Sequence, residues 1–191
     1  MTVTSHRIGA LAAASTVIAF GGMETHSVAT IICYTIGAVT GSLLPDADTP
    51  YSRMGRRYLC ILWPFYLLQY MIHLFAPRSY MDKTVKHRGV LHSPLVWMCM
   101  IGLLIYVIRQ THYQIPFLLS VGILIGVASH LFLDFISGGI PLFSPFIPKK
   151  YGSIIHIKTG GVTEQIVCLM MVVYCAFLWF CFFTGKFTTV K

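Results

Sequence analysis

His130 and Asp134 stand four residues apart near the end of a long apolar run. On a helix that spacing puts an imidazole and a carboxylate on one face, where both reach one metal ion or two adjacent ones. The same pair would also serve as a helix-stabilising hydrogen bond, so alone it decides little. Pro45-Asp46-Ala47-Asp48-Thr49-Pro50 places two carboxylates two residues apart in a turn bounded by prolines. Zinc and hard divalent cations accept such ligands, although Asp also shapes turns without any ion. His87-Arg88-Gly89-Val90-Leu91-His92-Ser93-Pro94 is the third segment of this kind. Two histidines five apart do not share a helix face. They converge if Gly89 turns the chain and His92 opens the next helix, where Ser93 and Pro94 suit a helix start. Arg88 could grip a phosphate or carboxylate with two hydrogen bonds; the alternative is a solvated basic loop. Glu164 begins the last apolar run. A first-turn carboxylate is favoured by the helix dipole anyway, and it could equally act as a ligand or general base. His6 precedes the first run and on its own reads as an interfacial histidine.

The elements that must position these groups are apolar. Of 191 residues, 56% are hydrophobic and 10% charged, against roughly 25% charged in a soluble domain. So few charges cannot solvate a globule, and the apolar excess falls in runs of membrane-helix length. One integral membrane domain over 1–191 is expected, with a retained first helix rather than a cleaved signal. The net charge of +8 suits orientation and anionic head groups and does not demand nucleic acid. Six cysteines lie apart, without a C-x-x-C pair, and read as small buried hydrophobes. Trp63, Trp97 and Trp179 are read with the other aromatics as lipid-facing or interfacial-belt residues.

Apolar runs cover 8–22, 28–44, 58–76, 95–108, 116–136 and 165–183. Six simple spans would leave His6, Asp46 and Asp48 on one side of the membrane. His87, His92, His130, Asp134 and Glu164 would then lie about 30 Å of hydrocarbon away. The run 58–76 contains Pro64, Gln69 and His73, and proline breaks or kinks a helix. If this run lies in the interface or re-enters, five spans remain and all eight residues share a side. Eleven of the 14 Lys and Arg then fall on that side too, which the positive-inside rule assigns to the cytoplasm. Ser137 to Thr163 is rich in Gly and Pro and reads as irregular.

Taken together, Thr4-Ser5-His6, Leu44-Pro45-Asp46-Ala47-Asp48 and His87-Arg88-Gly89-Val90-Leu91-His92-Ser93 form an ordered set. Ser129-His130-Leu131-Phe132-Leu133-Asp134, Gly138-Gly139-Ile140-Pro141-Leu142 and Gly161…Glu164 complete it. In these elements the chain resembles the YdjM-like, LexA-regulated membrane-bound metal-dependent hydrolases. It departs from them in the long apolar stretch between the Asp pair and the His pair. The resemblance implies a multi-pass hydrolase of the bacterial inner membrane. The His/Asp arrangement is also similar, distantly, to zinc-dependent phospholipases C and related nucleases.

The fold expected is therefore all-α: a polytopic membrane bundle of about five spans, with 58–76 interfacial or re-entrant. His6, Asp46, Asp48, His87, His92, His130, Asp134 and Glu164 are the expected ligands for one to three divalent ions, zinc first and manganese second. Glu164, Asp48 and Arg88 are the expected catalytic groups, with Lys149 and Lys150 beside Arg88 toward a phosphate. The function expected is hydrolysis of a phospholipid or lipid-phosphate ester, the membrane lipid being both environment and substrate and nucleic acid not obligatory. A metal-binding transporter and a membrane-anchored nuclease are the alternatives.

Overall fold

The computed structural model describes residues 1–20, 28–48, 67, 90–111, 114–144, 146–147, 149–154 and 157–185. Within them the chain forms five α-helices: α1 (Val3–Phe20), α2 (Val28–Gly41), α3 (Pro94–Thr111), α4 (Gln114–Gly138) and α5 (Val162–Phe183). Two single 3-10 turns, Pro45–Asp48 and Val90–His92, flank the undescribed stretch between α2 and α3. The expected spans 8–22, 28–44, 95–108, 116–136 and 165–183 correspond to these five helices. The run 58–76 lies outside the described residues, Leu67 excepted.

The molecule is an all-α bundle in which α1, α4 and α5 are long and apolar enough to cross a membrane. Helix α5 turns most of its surface outward: Met170 is 66% and Phe177 59% exposed. A surface that apolar is stable against hydrocarbon and not against water.

Helix α4 is the hub. It packs against α1, α2 and α3, while α1 also packs on α5 and α2. The α2–α4 contact is the most extensive, and glycine makes it possible. Gly37 and Gly41 on α2 face Gly122 and Gly126 on α4, each pair spaced four apart. A Cβ on Gly41 would lie 2.1 Å from the Ile123 carbonyl oxygen, and one on Gly126 only 2.0 Å from that of Ala38. With no side chains between them the two backbones touch. Small residues at this spacing are the usual route to close packing in lipid, where no hydrophobic drive pushes helices together. Beside the contact, Ala10, Ala14, Ile18, Tyr34 and Ala38 form a dry core.

Polar ties hold the outer helices. Trp179 on α5 donates its Nε1–H to Ser15 Oγ of α1 at 3.1 Å. Trp97 departs from the belt expectation: it is 6% exposed and donates its Nε1–H to the Leu91 carbonyl at 2.5 Å. Burial of its ring is possible because this donor finds a partner. At the end of α4, Gly139 adopts a left-handed conformation (φ 80°), as helix stops commonly do. The chain then returns across the helix end, Ile140 and Tyr151 exchanging backbone hydrogen bonds of 2.8 and 2.9 Å.

A side chain at the glycine contact would force the backbones apart. Gly126→Val is expected to lower the thermal unfolding midpoint in detergent, overpacking costing about 1–3 kcal/mol or more. Gly102→Ala on α3, where an added Cβ meets nothing within 4 Å, should leave the midpoint unchanged or raise it. Equal behaviour of the two variants would refute the role given to the contact.

Candidate metal centre

Five ionisable residues from four separate parts of the chain meet at one end of the bundle. His6 lies in the first turns of α1, Asp46 in the 3-10 turn after α2, and His92 in the turn before α3. His130 and Asp134 share a face of α4. His6, His92, His130 and Asp134 are all buried, at 0–2% exposure, whereas Asp46 is partly open.

Asp134 is the centre of the set. Its Oδ2 lies 3.3 Å from His92 Nε2 and 3.6 Å from His130 Nε2. The two imidazole nitrogens are 3.4 Å apart. Asp46 Oδ1 is 3.8 Å from both. The other carboxylate oxygen, Oδ1, faces His6 Nε2 at 3.4 Å and accepts from the Met1 nitrogen at 3.2 Å. Two overlapping donor groups result, His6–His130–Asp134 and Asp46–His92–His130, with His130 in both.

The spacing fits a first-row divalent ion. Zinc bonds of about 2.0–2.1 Å in a tetrahedron separate neighbouring ligand atoms by about 3.3 Å. The distances among His92, His130 and Asp134 lie close to that value, with Asp46 slightly farther. The donor chemistry also fits, since imidazole suits zinc and carboxylate suits zinc and manganese. His130 is prepared as a ligand. Its Nδ1 lies 2.6 Å from the Ser42 carbonyl, which can only accept, so the proton sits on Nδ1. In the neutral ring, Nε2 then presents a bare lone pair to the cluster, the orientation that a hydrogen bond from the other ring nitrogen imposes on metal-binding histidines. The carbonyl is in range because the backbones touch one turn earlier on each helix, at Ala38 and Gly126. His6 stacks flat on His130, ring centroids 3.7 Å apart and planes 12° from parallel. Its Nδ1 is buried with no hydrogen-bond partner among the described residues.

Glu164 is buried at 2% exposure but stands outside both donor groups. Its Oε1 accepts the Thr2 N–H at 2.6 Å and the Ser5 hydroxyl, and its Oε2 accepts the Gly160 N–H at 2.6 Å. The carboxylate thus ties the start of α5 to the turn that carries His6. Asp48 closes its 3-10 turn, and its side chain lies outside the described residues, as do His87 and Arg88 entirely. Lys149 and Lys150 are exposed on the loop after α4.

Sequence reasoning missed three contributors. The Ser42 carbonyl carries no side-chain signature. Ser137, whose hydroxyl lies 3.4 Å from Asp134 Oδ1, is one turn beyond a singled-out residue and could have been found by that spacing. The facing G-x-x-x-G pairs at Gly37/Gly41 and Gly122/Gly126 were legible as a helix-packing signal.

Comparison with known proteins follows the same outline. The chain is 27% identical over 187 residues to the uncharacterized protein YvsG of Bacillus subtilis (strain 168), covering 97% of this chain and 99% of that protein. No solved structure matches it. The model of the YdjM inner membrane protein family matches residues 1–187, and the chain belongs to that family.

Proposed function

We propose that this protein is a membrane-embedded, metal-dependent hydrolase that cleaves a phosphoester of a phospholipid or lipid phosphate at the cytoplasmic face of the inner membrane. The observation that carries the reading is the meeting of two His/Asp donor groups on one imidazole, His130, at the end of an apolar bundle. Buried ionisable groups in a membrane protein are costly and mark function. Their place at the helix ends suits a substrate whose polar part lies at head-group depth.

His92, His130, Asp134 and Asp46 would hold one ion, and His6 with the Oδ1 side of Asp134 would contribute to a second. A divalent metal there supplies Lewis acidity toward a phosphoryl oxygen and a charge that offsets the developing anion. The chain's own groups do the rest. His130 is locked in one tautomer by Ser42. Asp46, with 15% of its side chain exposed against 0% for His92 and His130, marks the side from which substrate and water arrive. Lys149, Lys150 and Arg88 attract the substrate phosphate, and Arg88 can bind it with two parallel hydrogen bonds. Asp48 serves as a base or further ligand. Glu164 holds the His6 turn in place.

Three measurements test this reading. Elemental analysis of purified protein should find zinc or manganese in the wild type and none in Asp134→Ala or His130→Ala. Glu164→Gln should keep metal with affinity weakened about tenfold, as for an outer-shell partner. Folded wild-type protein that takes up no metal after add-back would end the hydrolase reading. The metal-loaded protein should release phosphate or head group from phosphatidic acid or phospholipid in mixed micelles. That release should stop with chelator and return with added zinc or manganese. Finally, a cysteine at Lys149 in a cysteine-free background should react with a membrane-impermeant maleimide in inverted vesicles and not in intact spheroplasts. The opposite result would place the site on the far side.

A further inference from the structure

Two apolar clefts run along the seam between α3 and α4, one on each side of Trp97, Ile101 and Leu124. The first, of 380 Å³, begins beside the donor cluster, at Pro94, Phe135 and Leu142, and reaches Ile101 and Leu124. The second, of 310 Å³, begins at Leu44 and descends to Leu104. Both are in the size range of ligand sites, and apolar side chains make up their walls.

Depth and position identify the occupant. From Phe135 to Leu124 the first cleft follows α4 for eleven residues, about 16 Å at 1.5 Å per residue. One leaflet of the hydrocarbon core is roughly 15 Å deep, half of about 30 Å. The upper ends meet the donor cluster through the chain itself. Pro94 is two residues from His92, Leu131 adjoins His130, and Leu44 is two residues from Asp46. On the first cleft's wall Met98 and Phe132 are 67% and 63% exposed, so the cleft is open along an apolar outer face of the bundle. Trp97 lines both clefts and is fixed by its hydrogen bond to the Leu91 carbonyl, adjacent to His92. Ser93 Oγ–H donates to the Leu142 carbonyl at 3.1 Å, fixing the upper rim.

We propose that these clefts take the two acyl chains of a diacyl lipid, one on each side of Trp97, with its phosphate at the His/Asp cluster. This rests on the hydrolase reading for the phosphate and narrows its substrate to lipids with two chains that enter sideways from the leaflet. Trp97 is the divider that tells two chains from one.

The test uses Trp97 as its own probe. The full chain carrying Trp63→Phe and Trp179→Phe keeps Trp97 as its one tryptophan. In detergent micelles, a phosphatidic acid brominated on its acyl chains should quench Trp97 emission saturably, with release by excess unbrominated lipid. Brominated lysophosphatidic acid should need at least tenfold higher concentration. Ala128→Phe, which fills the first cleft from an exposed position, should reduce the diacyl quenching tenfold while leaving metal content unchanged. Ile101→Trp, on the wall shared by both clefts, should lower diacyl turnover in an otherwise wild-type chain without lowering hydrolysis of p-nitrophenyl phosphate. If Ala128→Phe does not fold, the Ile101→Trp split decides the matter. Trp97 emission insensitive to brominated lipid would assign the clefts to protein, either another segment of this chain or a second copy, and overturn the proposal. Equal quenching by one-chain and two-chain lipids would overturn it too. Saturable diacyl quenching without any hydrolysis would uphold the clefts while the hydrolase reading fell. Metal-dependent hydrolysis with no effect of either cleft variant would do the reverse.

Discussion

The site depends on one contact, the touching backbones of α2 and α4. In lipid, apolar side chains gain nothing by leaving hydrocarbon for a helix neighbour, so close approach and dispersion must hold helices together. Gly37, Gly41, Gly122 and Gly126 allow an approach that any Cβ would block. The first residues beyond this contact build the donor cluster. Ser42 offers its carbonyl to His130, and Asp46 enters the cluster two residues past Leu44. Had the helices been separated by the width of a leucine side chain, His130 would lose the acceptor that sets its tautomer and Asp46 would withdraw.

The second organising fact is how Asp134 is shared. Each uncompensated charged group at the middle of a membrane helix costs about 2.5–3.5 kcal/mol on insertion scales. The bundle places the buried Asp134 carboxylate at the end of α4 and surrounds it with partners. Oδ2 faces His92 and His130, and Oδ1 faces His6. The two sides of the cluster are therefore linked through a single carboxylate, besides the His130 that both donor groups share. The flat stack of His6 on His130 adds a second route, since neither ring can rotate without moving the other.

Much of this was legible in the sequence, for a physical reason. In a chain so poor in charge, an ionisable residue at the end of an apolar run is conspicuous. His6, Asp46, His92, His130 and Asp134 were found that way and do converge. The other five apolar runs correspond to the five described helices, and 58–76, on which the choice between five and six spans turns, lies outside the described residues. Glu164 shows where the method stops. A first-turn carboxylate looks the same whether it binds metal or backbone, and only coordinates reveal three donors already on its oxygens. Trp97 shows a second limit. Aromatics near a helix end read as belt residues until the acceptor for the indole N–H is seen. The Ser42 carbonyl could not be read at all, because every residue has one.

The Glu164 clamp has a consequence for biosynthesis. A membrane chain emerges from the ribosome in order, early segments first. Helix α1, which carries His6, precedes every other helix described, and α5 follows them all. The turn bearing His6 thus waits, without its anchor, until Glu164 has been translated and α5 has entered the bilayer. A nascent chain stalled before that point would contain all five His and Asp residues of the cluster and still lack the anchor for the His6 turn. Settling of the His6 turn is thereby coupled to the synthesis and insertion of α5, the last helix described.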